Sequence, residues 1–164
     1  MKQVKNETIF SERISTKQVE EGKELAPKFD SKGLIPVVTT DFETGELLMH
    51  AYLDQEAFKL TIQKGEMHYF SRSRGMIWHK GETSGFVQKV NELVIDDDQD
   101  AVWAKVTVTG GASCHVGYRS CFYRKIRLNQ DYKVDKKIKL SFSDSEKVFD
   151  PEIVYPETSN PTKL

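Results

Sequence analysis

Three clusters in this chain have residue types and spacing that could do chemistry. The first is acidic: Asp96-Asp97-Asp98-Gln99-Asp100, entered from the apolar run Leu93-Val94-Ile95. Side chains on a strand alternate between faces. A strand continuing through this run would set Asp96, Asp98 and Asp100 on one face and Asp97 on the other. Three carboxylates on one face repel unless a hard cation sits among them, and all-oxygen donors suit Mg²⁺ or Ca²⁺. The competing reading is a solvated acidic turn. An EF-hand is excluded, because Ala101 stands where that loop needs glycine and Thr107 where it needs a bidentate glutamate.

The second cluster is Cys114 and Cys121, set among Gly110, Gly111, Ser113, Gly117 and Ser120. Thiolates are soft ligands that select Zn²⁺ over Mg²⁺. A catalytic zinc usually takes three protein ligands and a water, so a third ligand must come from elsewhere, a second subunit included. Two ordinary buried thiols or a reversible disulfide are the alternatives. The flanking glycines and serines favour a shaped loop over a core strand. His115, beside the first thiol, is a candidate for ligand or general acid/base.

The third cluster runs from Tyr69 to Gly85 and holds Arg72, Arg74 and Lys80 among hydroxyls and glycines. Guanidinium forks and loop N–H groups suit phosphate and sugar. Trp78 suits either a stacked base or the core.

The rest of the chain must position these groups. Its 164 residues fit one domain, 38% hydrophobic and 30% charged. A net charge of −1 supplies no basic field for nucleic acid, so phosphate recognition must be local. The N-terminal MKQVKNETIF lacks the apolar core of a secretory signal. No stretch reaches the ~18 apolar residues of a membrane span. A cytoplasmic location is the expectation, and two cysteines in a reducing compartment point to metal or thiol chemistry.

Residues 1–32 read as a loosely attached leader with one weak helix. Leu34–Thr40 and Leu47–Tyr52 flank turn chemistry and predict a β-hairpin. Asp54 caps a helix that Gly65 ends. Strands are predicted over Met67–Ser71, Trp78–Lys80, Phe86–Asp100, Val102–Val108 and Ser120–Leu128, with Gly110-Gly111 breaking the fourth. The fold class is therefore α+β, mostly β: a compact single domain of short antiparallel strands with one main helix. The working domain spans 33–128, and 129–164 reads as a polar extension.

Taken together, Ser71-Arg-Ser-Arg74, Trp78-His-Lys-Gly-Glu-Thr-Ser-Gly85, Asp96-Asp-Asp-Gln-Asp100, Ala112-Ser-Cys-His115 and Ser120-Cys-Phe122 resemble the signature of the phosphoribosyl-AMP cyclohydrolases. Gly45-Glu-Leu-Leu-Met49 with Ala51-Tyr52 also fits. The resemblance covers roughly Gly33 to Arg124. It implies the third step of histidine biosynthesis, hydrolytic opening of the adenine ring of N1-(5-phosphoribosyl)-AMP between N1 and C6. It implies an intertwined homodimer with sites shared between subunits. It also implies Mg²⁺ on Asp96, Asp98 and Asp100, and Zn²⁺ on Cys114 and Cys121.

The resemblance has departures. The family usually reads Asp-Cys-Asp-x-Asp in the acidic motif, that cysteine being the third zinc ligand from across the dimer, and here the position is Asp97. The connection to Cys114 is one residue longer, and Val116 replaces a usual threonine. A carboxylate at Asp97 can still ligate zinc, though it hardens the site. Zinc-activated water with assisting magnesium is then the expected nucleophile, with His115 as proton shuttle. Arg72, Arg74, Lys80, Arg119 and Arg124 are candidates for the two 5′-phosphates, with the adenine near Trp78 or His79. The rival expectation is a non-catalytic metal-binding or redox-switch relative of the same fold.

Overall fold

A computed structural model describes residues 8–128, 137–157, 160 and 162. A short helix, α1 (Thr16–Glu21), starts at Ser15, whose hydroxyl accepts from the Gln18 amide. Strands β1 (Ile35–Asp41) and β2 (Leu47–Leu53) form the expected hairpin. Its turn is set locally, because the Asp41 carboxylate accepts from the Glu43 and Thr44 amides and the Thr44 hydroxyl. Helix α2 (Gln55–Lys64) begins where Asp54 accepts from the Ala57 amide at 2.7 Å, and ends on Gly65 in the left-handed region. Strands β3 (His68–Ser71) and β4 (Met76–His79) make a second hairpin, β5 (Gln88–Ile95) and β6 (Val102–Val108) a third. Strands β7 (Arg124–Ile126) and β8 (Leu140–Phe142) pair with each other, and α3 (Pro151–Val154) follows.

The central sheet has the order β2-β1-β6-β5. Ile35, Val37, Leu48, Leu53, Val102, Ala104 and Val106 point inward and pack with Ala57 and Phe58 of α2 and with Met67 and Tyr69. The clean alternation of β6 is the register that delivers its three buried residues to this core.

The structure differs from the sequence reading in several places. The strands are not all antiparallel: β1 runs parallel to β6, which the long excursion through β2, α2 and the β3–β4 hairpin allows. Residues 8–32 are not loosely attached, since Phe10, Leu25 and Phe29 pack against the core and Ala26 is fully buried. The predicted strand over Phe86–Asp100 stops at Ile95. The last predicted strand, Ser120–Leu128, shrinks to β7, because Ser120 and Cys121 bond to the β2 backbone instead of forming a ladder. Residues 129–136 of the polar extension lie outside the described residues. Its following part folds back: the Val148 and Phe149 amides donate to the Gly117 carbonyl, and Phe149 packs on Phe86. Among the described residues no helix is long and apolar enough to cross a membrane.

Candidate active site

The thiol loop leaves β6 through Gly110-Gly111 and is tied down at many points. The Ser113 amide donates to the Arg119 carbonyl, and the Cys114 amide to the Tyr118 carbonyl. The Cys121 amide donates to the Leu48 carbonyl at 2.7 Å, and the Ser120 hydroxyl to that of Leu47. Gly117 closes the bend at φ +105°, where an added Cβ would collide with the Phe149 carbonyl oxygen.

Beneath the loop lies a buried chain of side chains. The Thr39 and Tyr69 hydroxyls share a hydrogen bond of 2.8 Å. Tyr69 donates to Gln88 Oε1 at 2.6 Å, and Gln88 Nε2 donates to the Ser113 hydroxyl at 3.0 Å. Lys80, at the end of β4, sends its ammonium to the Ser113 carbonyl at 2.9 Å. The sequence offered no local signal for Gln88 or Ser113, because their partners lie 19 to 33 residues away.

Cys114 is buried and Cys121 exposed, and neither is in a disulfide. A hydrogen bond from the Cys121 thiol stabilises the Cys114 thiolate and brings its pKa down to about 6. Cys121, hydrogen-bonded to that thiolate, is pushed up. Burial draws the Lys80 pKa down, while both sulfurs hold it up. Burial also lowers the His115 pKa, and its Nε2 is buried without a hydrogen-bond partner among the described residues. The two hydrogen-bonded thiols are soft donors suited to Zn²⁺, whereas the His115 ring does not join them in a three-ligand cluster within 4.8 Å, a spacing that among the described residues only Asp96, Asp97 and Asp98 reach.

The acidic run is a turn, not a strand. Asp96 Oδ1 accepts from the Asp100 and Ala101 amides at 2.9 and 3.0 Å. Gln99 takes a positive φ of 58°, and its buried amide bonds the Val19 and Glu24 carbonyls and the Ala26 amide. These bonds reach 73 to 80 residues back, which is why local pattern pointed to a strand. The alternation of faces therefore fails. Carboxylate oxygens of Asp96, Asp97 and Asp98 come within 4.8 Å of one another, so Asp97 is not turned away from its neighbours. The Lys28 ammonium lies 3.9 Å from Asp98 and 3.4 Å from Asp100, so positive charge already meets oxygens of this turn.

The remaining predicted residues divide. Arg72 lies over the Tyr52 ring, Arg74 over Trp78 with a bond to the Ser71 hydroxyl, and Arg124 over Tyr123. All three arginines are exposed. Arg119 instead pairs with Glu46 and, at 3.1 Å, with Asp41. It clamps the thiol loop to the β1–β2 turn.

Comparison with known proteins bears on this arrangement. The sequence profile of the phosphoribosyl-AMP cyclohydrolases matches residues 49–123. A phosphoribosyl-AMP cyclohydrolase of Rhodopseudomonas palustris is 52% identical over 145 residues, covering 88% of this chain and 93% of that protein. The chain belongs to the phosphoribosyl-AMP cyclohydrolase family. Two further members, from Rhizobium leguminosarum bv. trifolii and Bradyrhizobium diazoefficiens, are 50% and 49% identical. Their matches cover 92% and 84% of this chain, and 98% and 94% of the relatives. The stretch matching the phosphoribosyl-AMP cyclohydrolase profile contains the β3–β4 hairpin, the acidic turn and the whole thiol loop.

Proposed function

We propose that this protein is a phosphoribosyl-AMP cyclohydrolase acting in the cytoplasm on the third step of histidine biosynthesis. One observation carries the reading: about half identity across nine-tenths of named relatives, in a fold whose thiol loop brings Cys114 and Cys121 into contact.

Cys114 and Cys121 would hold Zn²⁺, and the acidic turn, through Asp96, Asp98 and Asp100, would hold Mg²⁺. Bound zinc would supply Lewis acidity and a hydroxide-like water near neutral pH. Asp97 of the partner subunit is the candidate third ligand to the thiol site of a homodimer. Arg72, Arg74 and Arg124, whose guanidinium groups are exposed, are the candidates to hold the two 5′-phosphates, with the adenine near Trp78 or His79. Water adds its oxygen to C6, the N1–C6 bond breaks, and the electron pair stays on N1. His115 Nε2 carries the proton that N1 gains. The neutral imidazole favoured by burial suits such a shuttle.

Chelator titration of turnover, with Zn²⁺ and Mg²⁺ restored separately, tests this. Chelation is expected to abolish ring opening, Zn²⁺ to be required for its return, and Mg²⁺ to raise it further. Turnover that survives chelation would contradict the proposal. The closeness of two free thiols favours one second reading, a redox switch, which predicts function lost on oxidation and kept after chelation. Asp97→Cys is expected to tighten zinc binding and Asp97→Ala to weaken it.

A further inference from the structure

Lys80 was expected, from its place in a basic segment, to bind phosphate. Its surroundings argue otherwise. The residue is 6% exposed. Its own amide is fixed to the Met67 carbonyl at 2.9 Å, and its ammonium is spent on the Ser113 carbonyl at 2.9 Å. Among the described residues no carboxylate lies within 4.0 Å of that ammonium, whereas Lys28, Lys59 and Lys105 all have one. A buried ammonium is costly unless an anion compensates it. The groups available are the sulfurs of Cys114 and Cys121, both of which act on it electrostatically.

We infer that Lys80 is a positioning residue of the thiol site: its buried ammonium pins Ser113, the neighbour of Cys114, and sets a fixed positive charge at the backbone of the loop that carries both sulfurs. Ser113 is held at three atoms: its amide by Arg119, its hydroxyl by Gln88 and its carbonyl by Lys80. Of these three contacts, the one from Lys80 alone brings a full charge to the cysteine backbone. Two thiolates and a further anionic ligand around a divalent cation leave net negative charge, and a buried lysine beside them offsets it. The inference rests on the metal-site reading of the proposed function and adds a residue to it.

The test uses full-length protein carrying Lys80→Met, which keeps an unbranched apolar stem without the charge, and Lys80→Arg, which keeps the charge. Zn²⁺ affinity is read by competition with a chromophoric chelator, and thiolate ligation by the sulfur-to-cobalt charge-transfer band of the Co²⁺ form. Lys80→Met is expected to weaken Zn²⁺ by at least about tenfold, as loss of an outer partner of a metal ligand does. Lys80→Arg should recover part of that loss. The KM for phosphoribosyl-AMP should stay within about twofold while kcat falls, since uniform substrate binding is not what was removed. Wild-type zinc affinity in Lys80→Met, a rise confined to KM, or a wild-type protein without the charge-transfer band would each overturn the inference. Should Lys80→Met not fold, Lys80→Gln carries the same test, with a neutral head that retains a donor. The metal readouts need no turnover, so absence of ring opening in wild-type protein would refute the proposed activity while leaving the Lys80 question decided.

Discussion

Asp97 and Cys114 stand beyond opposite ends of β6. The acidic turn enters that strand and the thiol loop leaves it, with the seven residues Val102–Val108 between, or roughly 20 Å at ~3.4 Å per residue. The site of the proposed homodimer would draw one motif from each of two copies of the chain. Complementation follows. Asp98→Asn and Cys114→Ser proteins are each expected to be inactive in ring opening. Mixed after reversible dissociation, they should regain about a quarter of wild-type activity, because half the dimers are mixed and each has one intact site. No recovery despite verified mixed dimers would contradict a shared site.

Tyr69 is fully buried, its hydroxyl joining Thr39 to Gln88. Tyr69→Phe leaves Gln88 Oε1 without that donor, which costs about 1–3 kcal/mol. Urea denaturation should show this loss at unchanged m-value, and kcat should fall as Ser113 loosens through Gln88.

Gly117→Ala forces a left-handed backbone on a residue with a side chain and drives its Cβ against the Phe149 carbonyl oxygen. A penalty of about 1–3 kcal/mol is expected. Limited proteolysis should release the segment around Phe149 before the sheet unfolds, while the same substitution at the exposed Gly75 should leave that segment protected.

The thiol pair makes the metal-free protein's stability depend on pH. Cys114 falls from an ordinary 9.0 to about 6. A depressed folded-state pKa contributes stability that is complete above the unfolded value and is lost as pH falls through the folded one. Cys121 is raised, so its contribution is present below 9.0 and fades as pH rises beyond it. Unfolding free energy should thus climb between pH 6 and 9 and turn over above 9. Cys114→Ser should flatten the climb, and iodoacetamide labelling of Cys114 should titrate near pH 6.

Much of this was legible in the sequence where the determinants are local. Asp54 and Gly65 bound α2 through bonds within a turn of themselves, Asp41 folds its own hairpin turn, and the period of β6 announces its inward face. Cys114 and Cys121 stand out in the sequence by residue type, and the structure brings the two thiols together. What failed depends on distant partners. Gln99 converts an apparent strand into a turn by bonding the leader. Phe10 and Phe29 pack against the core from a segment with only a weak helical period. The sequence likewise carries no sign that Lys80 is buried on the Ser113 carbonyl or that Arg119 is held by Glu46 and Asp41.

The most direct measurement is the absorbance change on ring opening of N1-(5-phosphoribosyl)-AMP by purified protein supplied with Zn²⁺ and Mg²⁺, wild type beside Cys114→Ser. Catalytic turnover by the wild type, reduced more than about 100-fold in the variant, is the predicted result. A wild-type protein that folds, binds metal and leaves the substrate unchanged would contradict the account.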